Sequence, residues 1–161
     1  MRTLVLATVT TALSLLAGSA MAEETGSAGN PGDVWWSEYL SANPARTSQF
    51  YSAVIGWKTR SVALDDLTRS PKPGEKTYIM MMNGADETAG LMSLADADYT
   101  GARTGWFTYF YVEDLDAALD RAIHQGGRIV REPVDVSDET RIAVIADPEG
   151  VLVGLASKPK D

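Results

Sequence analysis

The chain has 161 residues, with 14 Lys and Arg against 22 Asp and Glu, and its formal net charge is −8. Its hydrophobic fraction of 45% is ordinary for a globular protein, and its length suits one domain. A domain of this size can bury a core without disulfides. The absence of cysteine excludes disulfides, thiolate metal sites and a cysteine nucleophile, and the single histidine excludes multi-histidine metal motifs. The acidic balance argues against a nucleic-acid partner, which needs a basic surface.

Residues 1–22 have the pattern of a secretory signal peptide. A positive charge at the second position precedes a mostly apolar run over residues 4–16, and an Ala-Met-Ala cleavage site ends at Ala22. The run is too short and too rich in threonine to favour a membrane-spanning helix. We therefore expect cleavage after Ala22, export to the periplasm or the medium, and no membrane association of the mature chain.

The rest of the chain contains an internal repeat with a constant offset of 71 positions. Asn43 and Asp114 each follow a strand-like segment and suit the N-cap of a helix, Gly56 closes the first helix, and Gly126-Gly127 closes the second. Three strand-like segments follow each helix. The sequence therefore predicts an α+β domain over residues 34–157. It divides into βαβββ modules at 34–92 and 105–157, between a flexible leader at 23–33 and a polar tail at 158–161.

Three motifs occur in order along this repeat. They are F-Y-x3-hydrophobic-G-W from Phe50, V-x-D-hydrophobic-D-x-A from Val112 and D-P-E-G from Asp147. Together they resemble the vicinal oxygen chelate superfamily of glyoxalases, bleomycin-resistance proteins and extradiol dioxygenases, and in particular its glyoxalase-like subgroup. The resemblance implies that eight strands curl into a cup with the helices outside and a ligand or metal inside.

The resemblance also implies metal-ligand positions, which this chain does not fill. Metal-binding members of the family carry His, Gln or Glu at the head of each module's first strand, and His or Glu near the end of its last strand. The corresponding residues here have no side-chain donor for a cation: Trp36, Gly90, Phe107 and Gly154. We therefore expect neither a metal nor another cofactor in the cup.

Eight of the 13 aromatic residues lie in the first strands of the two modules. Alternation along these strands assigns one set of side chains to the cup: Trp36, Glu38, Leu40, Phe107, Tyr109 and Tyr111. It assigns Trp35 and Trp106 to the opposite face, against the helices. Met80, Met82 and Met92 add soft apolar side chains that adapt to varied ligands. The pattern predicts either a pocket for a small aromatic or apolar molecule or ordinary core packing.

Glu38 is the candidate catalytic residue, since it interrupts an otherwise apolar strand. On the cup face it would be desolvated, with a raised pKa or with a partner among Tyr109, Tyr111 and Arg141. It would then serve as a hydrogen-bond acceptor or general base for a ligand, or as a structural hydrogen-bonding centre. Two functions remain open: a metal-free module that binds a small molecule, and a glyoxalase-like lyase or related enzyme that uses Glu38 and tyrosines. A cup packed shut is a third reading, and a homodimer also stays open.

Overall fold

The computed structural model describes residues 29–159, so the predicted signal peptide at residues 1–22 lies outside the described part of the chain. The first module contains β1 (Val34–Ser41), α1 (Pro44–Ile55), β2 (Lys58–Ala63), β3 (Thr77–Asn83) and β4 (Asp86–Ser93). A short 3-10 turn, Leu94–Asp96, begins the crossing to the second module. That module contains β5 (Gly105–Tyr111), α2 (Leu115–His124), β6 (Arg128–Ser137), β7 (Thr140–Ala146) and β8 (Leu152–Ser157).

All eight strands form one sheet in the order β2-β3-β4-β1-β5-β8-β7-β6. The modules meet at its centre, where β1 runs antiparallel to β5, while β1 pairs with β4 and β5 pairs with β8 in parallel. The register repeats as well, because Glu38 lies opposite Gly90 and Tyr109, 71 positions later, lies opposite Gly154. The predicted α+β architecture of two βαβββ modules is confirmed.

The two helices begin where the sequence predicts. The Asn43 side chain accepts a hydrogen bond from the Arg46 amide at 3.0 Å, and Asp114 accepts one from the Ala117 amide at the same distance. At the end of α1, Gly56 has a φ of 86°, a left-handed conformation that glycine adopts without strain. Within residues 29–159, no helix is long and apolar enough to cross a membrane.

The helices cover one face of the sheet, and the other face is left for a cavity. On the helix side of the second module, Leu115 and Leu119 of α2 pack on Ala143 and Leu155 of the sheet. On the helix side of the first module, the buried residues are Met81, Ala89 and Leu91. On the cavity side, a second layer joins the two modules and contains Leu40, Tyr99, Phe107, Tyr109, Ile142, Val144 and Ala156. The period of two thus sorts the strands as predicted, with exceptions described below.

The described end of the expected leader is paired with the sheet. The Gly32 amide donates to the Tyr111 carbonyl, and the Tyr111 amide donates to the Asp33 carbonyl, each at 2.9 Å. These bonds extend the β1–β5 pairing toward the N-terminus. Gly32 and Asp33 therefore hydrogen-bond to the end of β5, and the extent of the flexible leader over residues 23–33 stays a prediction.

Candidate functional site

A cavity of about 530 Å³ lies on the face of the sheet that the helices leave open. Both modules contribute to it, β1 and β3 from one side and β5, β6 and β7 from the other. Its walls carry the aromatic rings of Trp35, Trp36, Tyr78, Tyr99 and Tyr109. A cavity of this size, with aromatic and apolar side chains beside polar groups, is typical of sites for small molecules.

The polar centre of the cavity is a chain of three side chains from the first module. The Trp36 indole nitrogen donates a hydrogen bond to the Tyr78 hydroxyl at 2.9 Å. Because the indole can only donate, the Tyr78 oxygen accepts this bond, and its own hydrogen is directed to the carboxylate of Glu38. The cavity therefore has a fixed acceptor at its base, held by a tyrosine that is itself held by a tryptophan.

Burial dominates the ionisation of this centre. Glu38 is only 6% exposed, and its desolvation raises the pKa of the carboxyl above the ordinary value of 4.5. The hydrogen bond from Tyr78 and the positive charge of Arg131 act in the opposite direction and offset part of the rise. Burial also raises the pKa of the Tyr78 hydroxyl, and the Glu38 charge raises it further. Both groups thus favour their neutral forms more than they would in water.

Two further tyrosines face this centre from the second half of the chain. Burial and the Glu38 charge raise the pKa of Tyr99 and of Tyr109. The Tyr109 ring packs edge-on against Trp35, with centroids 6.2 Å apart, and against Phe107 at 5.0 Å. The Tyr99 hydroxyl is buried and has no hydrogen-bond partner among residues 29–159. A buried hydroxyl without a partner is uncommon in folded proteins and calls for an explanation.

Two ion pairs tie the segment between the modules to both sides of the cavity. Asp96 pairs with Lys76 of the first module, and Asp98 pairs with Arg131 of the second, each at 3.1 Å. All four side chains line the cavity. Tyr99 follows directly in the same segment, with its ring centroid 6.0 Å from that of Phe107.

Two glycines leave the space that two tyrosine side chains occupy. A Cβ atom on Gly90 would lie 1.6 Å from the Tyr78 hydroxyl, and one on Gly154 would lie 2.2 Å from Cδ1 of the Tyr109 ring. Each phenol therefore occupies the space that a side chain on the last strand of a module would need. These glycines are two of the positions at which metal-binding relatives are expected to carry a ligand.

The residues present do not fit a metal at the family's positions. Trp36 uses its only polar atom to donate a hydrogen bond, Phe107 has none, and the two glycines have no side chain. Glu38 supplies the single carboxylate at the base of the cavity. Across residues 29–159, no three His, Asp or Glu side chains converge as a cation site would require.

The structure brings together most, but not all, of the predicted ligand-binding residues. Trp36, Glu38, Met80, Met92 and Tyr109 line the cavity. Three others do not line it. Phe107 is buried behind Tyr99 and Tyr109, Met82 packs on the cluster around Tyr78, and Tyr111 lies partly buried at the end of β5.

Several lining residues differ from the sequence prediction. Trp35, expected on the helix side, lines the cavity because a bulge between Val34 and Trp36 shifts its register against β5. The expected partners of Glu38 were also wrong, since Tyr78 donates to it and Arg131 is the nearby cation. Arg141 instead pairs with Asp116 and Asp135, at 3.5 and 3.6 Å.

A sequence signal existed for one of these missed residues. Tyr78 precedes Met80 by two positions in β3 and therefore shares its face, so the alternation that selected Met80 also pointed to Tyr78. Arg131 lies in β6, where the register against β7 shifts three times, and simple alternation fails there.

Comparison with known proteins agrees with this fold. The sequence profile of the Glyoxalase/Bleomycin resistance protein/Dioxygenase superfamily matches residues 38–155. The chain is 29% identical over 138 residues to "Putative glyoxylase CFP32" of Mycobacterium tuberculosis, covering 86% of this chain and 46% of that protein. It is also 29% identical over 132 residues to "Anthracycline biosynthesis protein DnrV" of Streptomyces peucetius, covering 80% and 48%. The chain thus spans about half the length of these relatives.

Solved structures share the fold. Methylmalonyl-CoA epimerase from Mycobacterium tuberculosis superposes with a TM-score of 0.52 at 21% identity, over 81% of this chain and 89% of that one. A hypothetical protein from Bacillus halodurans C-125 superposes with a TM-score of 0.54 at 14% identity, over 81% and 96%. With a family profile that spans most of the chain and an architecture common to these structures, the chain belongs to the glyoxalase, bleomycin-resistance and dioxygenase superfamily.

Proposed function

We propose that this chain is an exported domain that binds a small aromatic or apolar molecule in its cavity without a metal. The observation that carries the proposal is the cavity of about 530 Å³ between the modules, walled by five aromatic side chains. Aromatic rings bury a large area per side chain and interact through their faces and edges, which suits a flat ligand. Met80 and Met92 supply polarisable, adaptable contacts in the same lining.

Two further observations support a cavity without a metal and an aromatic ligand. The phenols of Tyr78 and Tyr109 take the room beside Gly90 and Gly154, where ligands to a metal would stand. One of the relatives is named for anthracycline biosynthesis, and an anthracycline has a flat, fused aromatic ring system. The first observation favours a cavity without metal coordination, and the second favours an aromatic ligand.

The binding test uses mature chain and 2-naphthalenemethanol, a neutral flat probe, in isothermal titration calorimetry. We expect saturable binding at one site per chain. Trp36→Leu should weaken it about tenfold, since loss of an aromatic contact costs about 1.4 kcal/mol. Trp106→Leu is the matched control, because Trp106 lies on the helix face, where its indole donates to the Tyr51 hydroxyl at 3.0 Å. Absence of binding, or equal losses in both variants, would contradict the proposal.

Metal independence has its own test. Mature protein purified without chelator should contain no stoichiometric divalent cation, and EDTA should leave probe affinity unchanged. One tightly held Zn, Ni, Fe or Mn per chain in elemental analysis would overturn this part of the proposal.

Export also has a direct test. The apolar run and cleavage site at residues 1–22 predict a mature N-terminus at Glu23. The intact mass of the protein recovered from the periplasm or medium should correspond to residues 23–161. A cytoplasmic product that retains residues 1–22 would contradict export.

A second function, catalysis, is favoured by the position of Glu38. A buried carboxylate with a raised pKa, hydrogen-bonded to a tyrosine in a cavity, suits a general base that removes a proton from a bound substrate. In this reading Glu38 accepts the proton, while Tyr78 holds the carboxylate in place by its hydrogen bond. Turnover of a bound compound that Glu38→Gln abolishes without loss of affinity would establish the enzyme. Unchanged recovery of every bound compound would leave the binding function.

A further inference from the structure

We infer that the cavity selects aromatic cations, taking the protonated amine of a flat ligand against the carboxylate of Glu38. The inference rests on the proposed binding function and adds the charge of the ligand to it. It follows from the distribution of charged side chains around the cavity and from the aromatic rings that surround Glu38.

The charged lining is mostly acidic. Five carboxylates line the cavity, namely Glu38, Asp65, Glu87, Asp96 and Asp98, against two cations, Lys76 and Arg131. An excess of one sign of charge in a cleft raises the local concentration of oppositely charged ligands. An anionic ligand is therefore disfavoured before it reaches the base of the cavity.

Within the part of the chain that the structure describes, four of these five carboxylates have an ion-pair partner. Asp96 pairs with Lys76 and Asp98 with Arg131. At the outer lining, Asp65 pairs with Arg69 at 2.8 Å, and Glu87 pairs with Arg60. Glu38 alone has none within 4.0 Å among residues 29–159, although it is the most buried of the five.

An unpaired buried carboxylate is costly, and a ligand cation can remove that cost. A buried ionised group without a partner loses hydration that no protein charge replaces. Arg131 contributes favourably from a distance, but its guanidinium is already paired with Asp98. A protonated amine against Glu38 would complete an ion pair inside the cavity, where screening by solvent is weak. A ligand cation therefore contributes more to the binding free energy beside Glu38 than at the mouth of the cavity.

The surroundings of Glu38 suit an amine joined to a ring. Trp36 and Tyr78 form one hydrogen-bonded pair beside it, and Tyr109 lies on the neighbouring strand. Aromatic faces attract cations through their quadrupole, most strongly where water is excluded. The Tyr99 hydroxyl, which has no partner among the described residues, offers an acceptor for a second N–H of the amine.

The test compares three probes of one shape and three charges by calorimetry on the mature chain. These are 2-naphthylmethylamine, 2-naphthalenemethanol and 2-naphthoate, which are cationic, neutral and anionic at pH 7. We expect the amine to bind at least about tenfold more tightly than the alcohol, and the naphthoate more weakly than both. Equal affinities of amine and alcohol, or preference for naphthoate, would overturn the charge selection while leaving the binding function intact. Failure of all three to bind would overturn the binding function itself.

Two variants locate the charge responsible. Glu38→Gln keeps shape and removes charge, so within this variant the amine should lose its advantage over the alcohol. Glu87→Gln removes an exposed carboxylate at the outer lining and should change the advantage by less than about twofold. Equal effects of the two variants would assign the selection to the acidic surface as a whole and contradict the inference.

Salt provides a second measurement that needs no variant. Exposed charges more than a Debye length apart are screened at high ionic strength, whereas buried pairs are screened much less. The preference for the amine should therefore persist at 0.5 M NaCl. Its disappearance there would overturn the assignment to Glu38 even if Glu38→Gln does not fold.

Discussion

The two modules share a backbone but use their central positions differently. In the first module, Glu38 lies opposite Gly90, and the room above the glycine holds the hydroxyl of Tyr78. In the second, Tyr109 lies opposite Gly154, and the tyrosine ring itself fills that room. Equivalent positions of the two modules thus form a polar centre in the first and an aromatic wall in the second. The repeat supplies the positions of the cavity, and the asymmetry of the side chains supplies its chemistry.

The helices differ in the same way. Helix α2 buries Leu115, Ala118 and Leu119, whereas α1 has no buried residue and exposes Phe50, Val54 and Ile55 by half or more. Beneath α1 lies a set of aromatic rings, in which Tyr51 contacts Tyr39 and Trp106 at centroid distances of 5.7 and 5.3 Å. Similar N-caps, Asn43 and Asp114, therefore do not imply equal contributions to stability.

The largest expected effect tests this difference between the helices. Leu119→Ala should lower the free energy of unfolding by about 3 kcal/mol, because it removes buried methyl groups and leaves a cavity above Ala143. Phe50→Ala, in which the lost ring is 58% exposed, should cost under about 1 kcal/mol. Urea unfolding of both variants measures the contrast. Equal losses would mean that α1 is as firmly packed as α2.

The two glycine slots should respond unequally to a methyl group. Gly154→Ala should cost about 2 kcal/mol, since the new atom meets the base of the Tyr109 ring, which cannot move without leaving the core. Gly90→Ala should cost about 3 kcal/mol, since the new atom meets the hydroxyl and the ring of Tyr78 and displaces this buried phenol from its hydrogen bond with Trp36. Thermal or urea unfolding gives both values. If the clash is the cause, Gly154→Ala should cost much less in a Tyr109→Leu background.

The polar centre of the first module should make the stability of the folded chain depend on pH through Glu38. Burial raises the pKa of Glu38 in the folded chain above its ordinary value of 4.5. The folded state therefore favours the protonated form, and its stability falls as pH rises from 4.5 through the folded pKa, then levels off. Glu38→Gln cannot ionise, so its Tm relative to the unmodified chain should rise across that interval. Parallel curves of Tm against pH for Glu38→Gln and the unmodified chain would contradict the burial effect.

The smallest expected effects are stability changes of opposite sign on removing the hydroxyls of Tyr99 and Tyr78. Tyr99→Phe should raise the free energy of unfolding by up to about 1 kcal/mol, because it deletes a buried hydroxyl that has no partner among the described residues. Tyr78→Phe should lower it by about 1 kcal/mol, because Trp36 then donates to nothing and Glu38 loses a donor. Calorimetric unfolding of the two variants checks the opposite signs. A loss of stability in Tyr99→Phe would show that its hydroxyl is bonded in solution.

The two modules could be predicted from the sequence because capping residues and strand alternation are local signals. Asn43, Gly56 and Asp114 are capping residues with a mechanism of their own, and alternation in β1 and β5 needs no tertiary information. Where the ladder is regular, the predicted faces are the observed ones. Glu38, Met80 and Tyr109 were found in this way.

The residues that the sequence misplaced depend on irregular pairing or on contacts between distant elements. A bulge turns Trp35 toward the cavity, and no local signal announces it. Tyr78 becomes a neighbour of Glu38 because β3 lies two strands from β1 and its phenol reaches over Gly90 of β4. Arg131 reaches the same carboxylate from β6, across the cavity. Alternation sends Arg141 to the face of α2, since Ile142 beside it faces the cavity.

The packing at Gly90 and Gly154 also restricts how this chain could change. A histidine or glutamate introduced at either position would collide with Tyr78 or Tyr109 at its first side-chain carbon, before any donor atom is placed. A metal ligand there becomes tolerable only after the tyrosine has been replaced. Each step toward coordination therefore needs two substitutions in a fixed order, and the first of them removes a wall of the cavity. Single substitutions at these glycines do not lead from this chain to a metal-binding one.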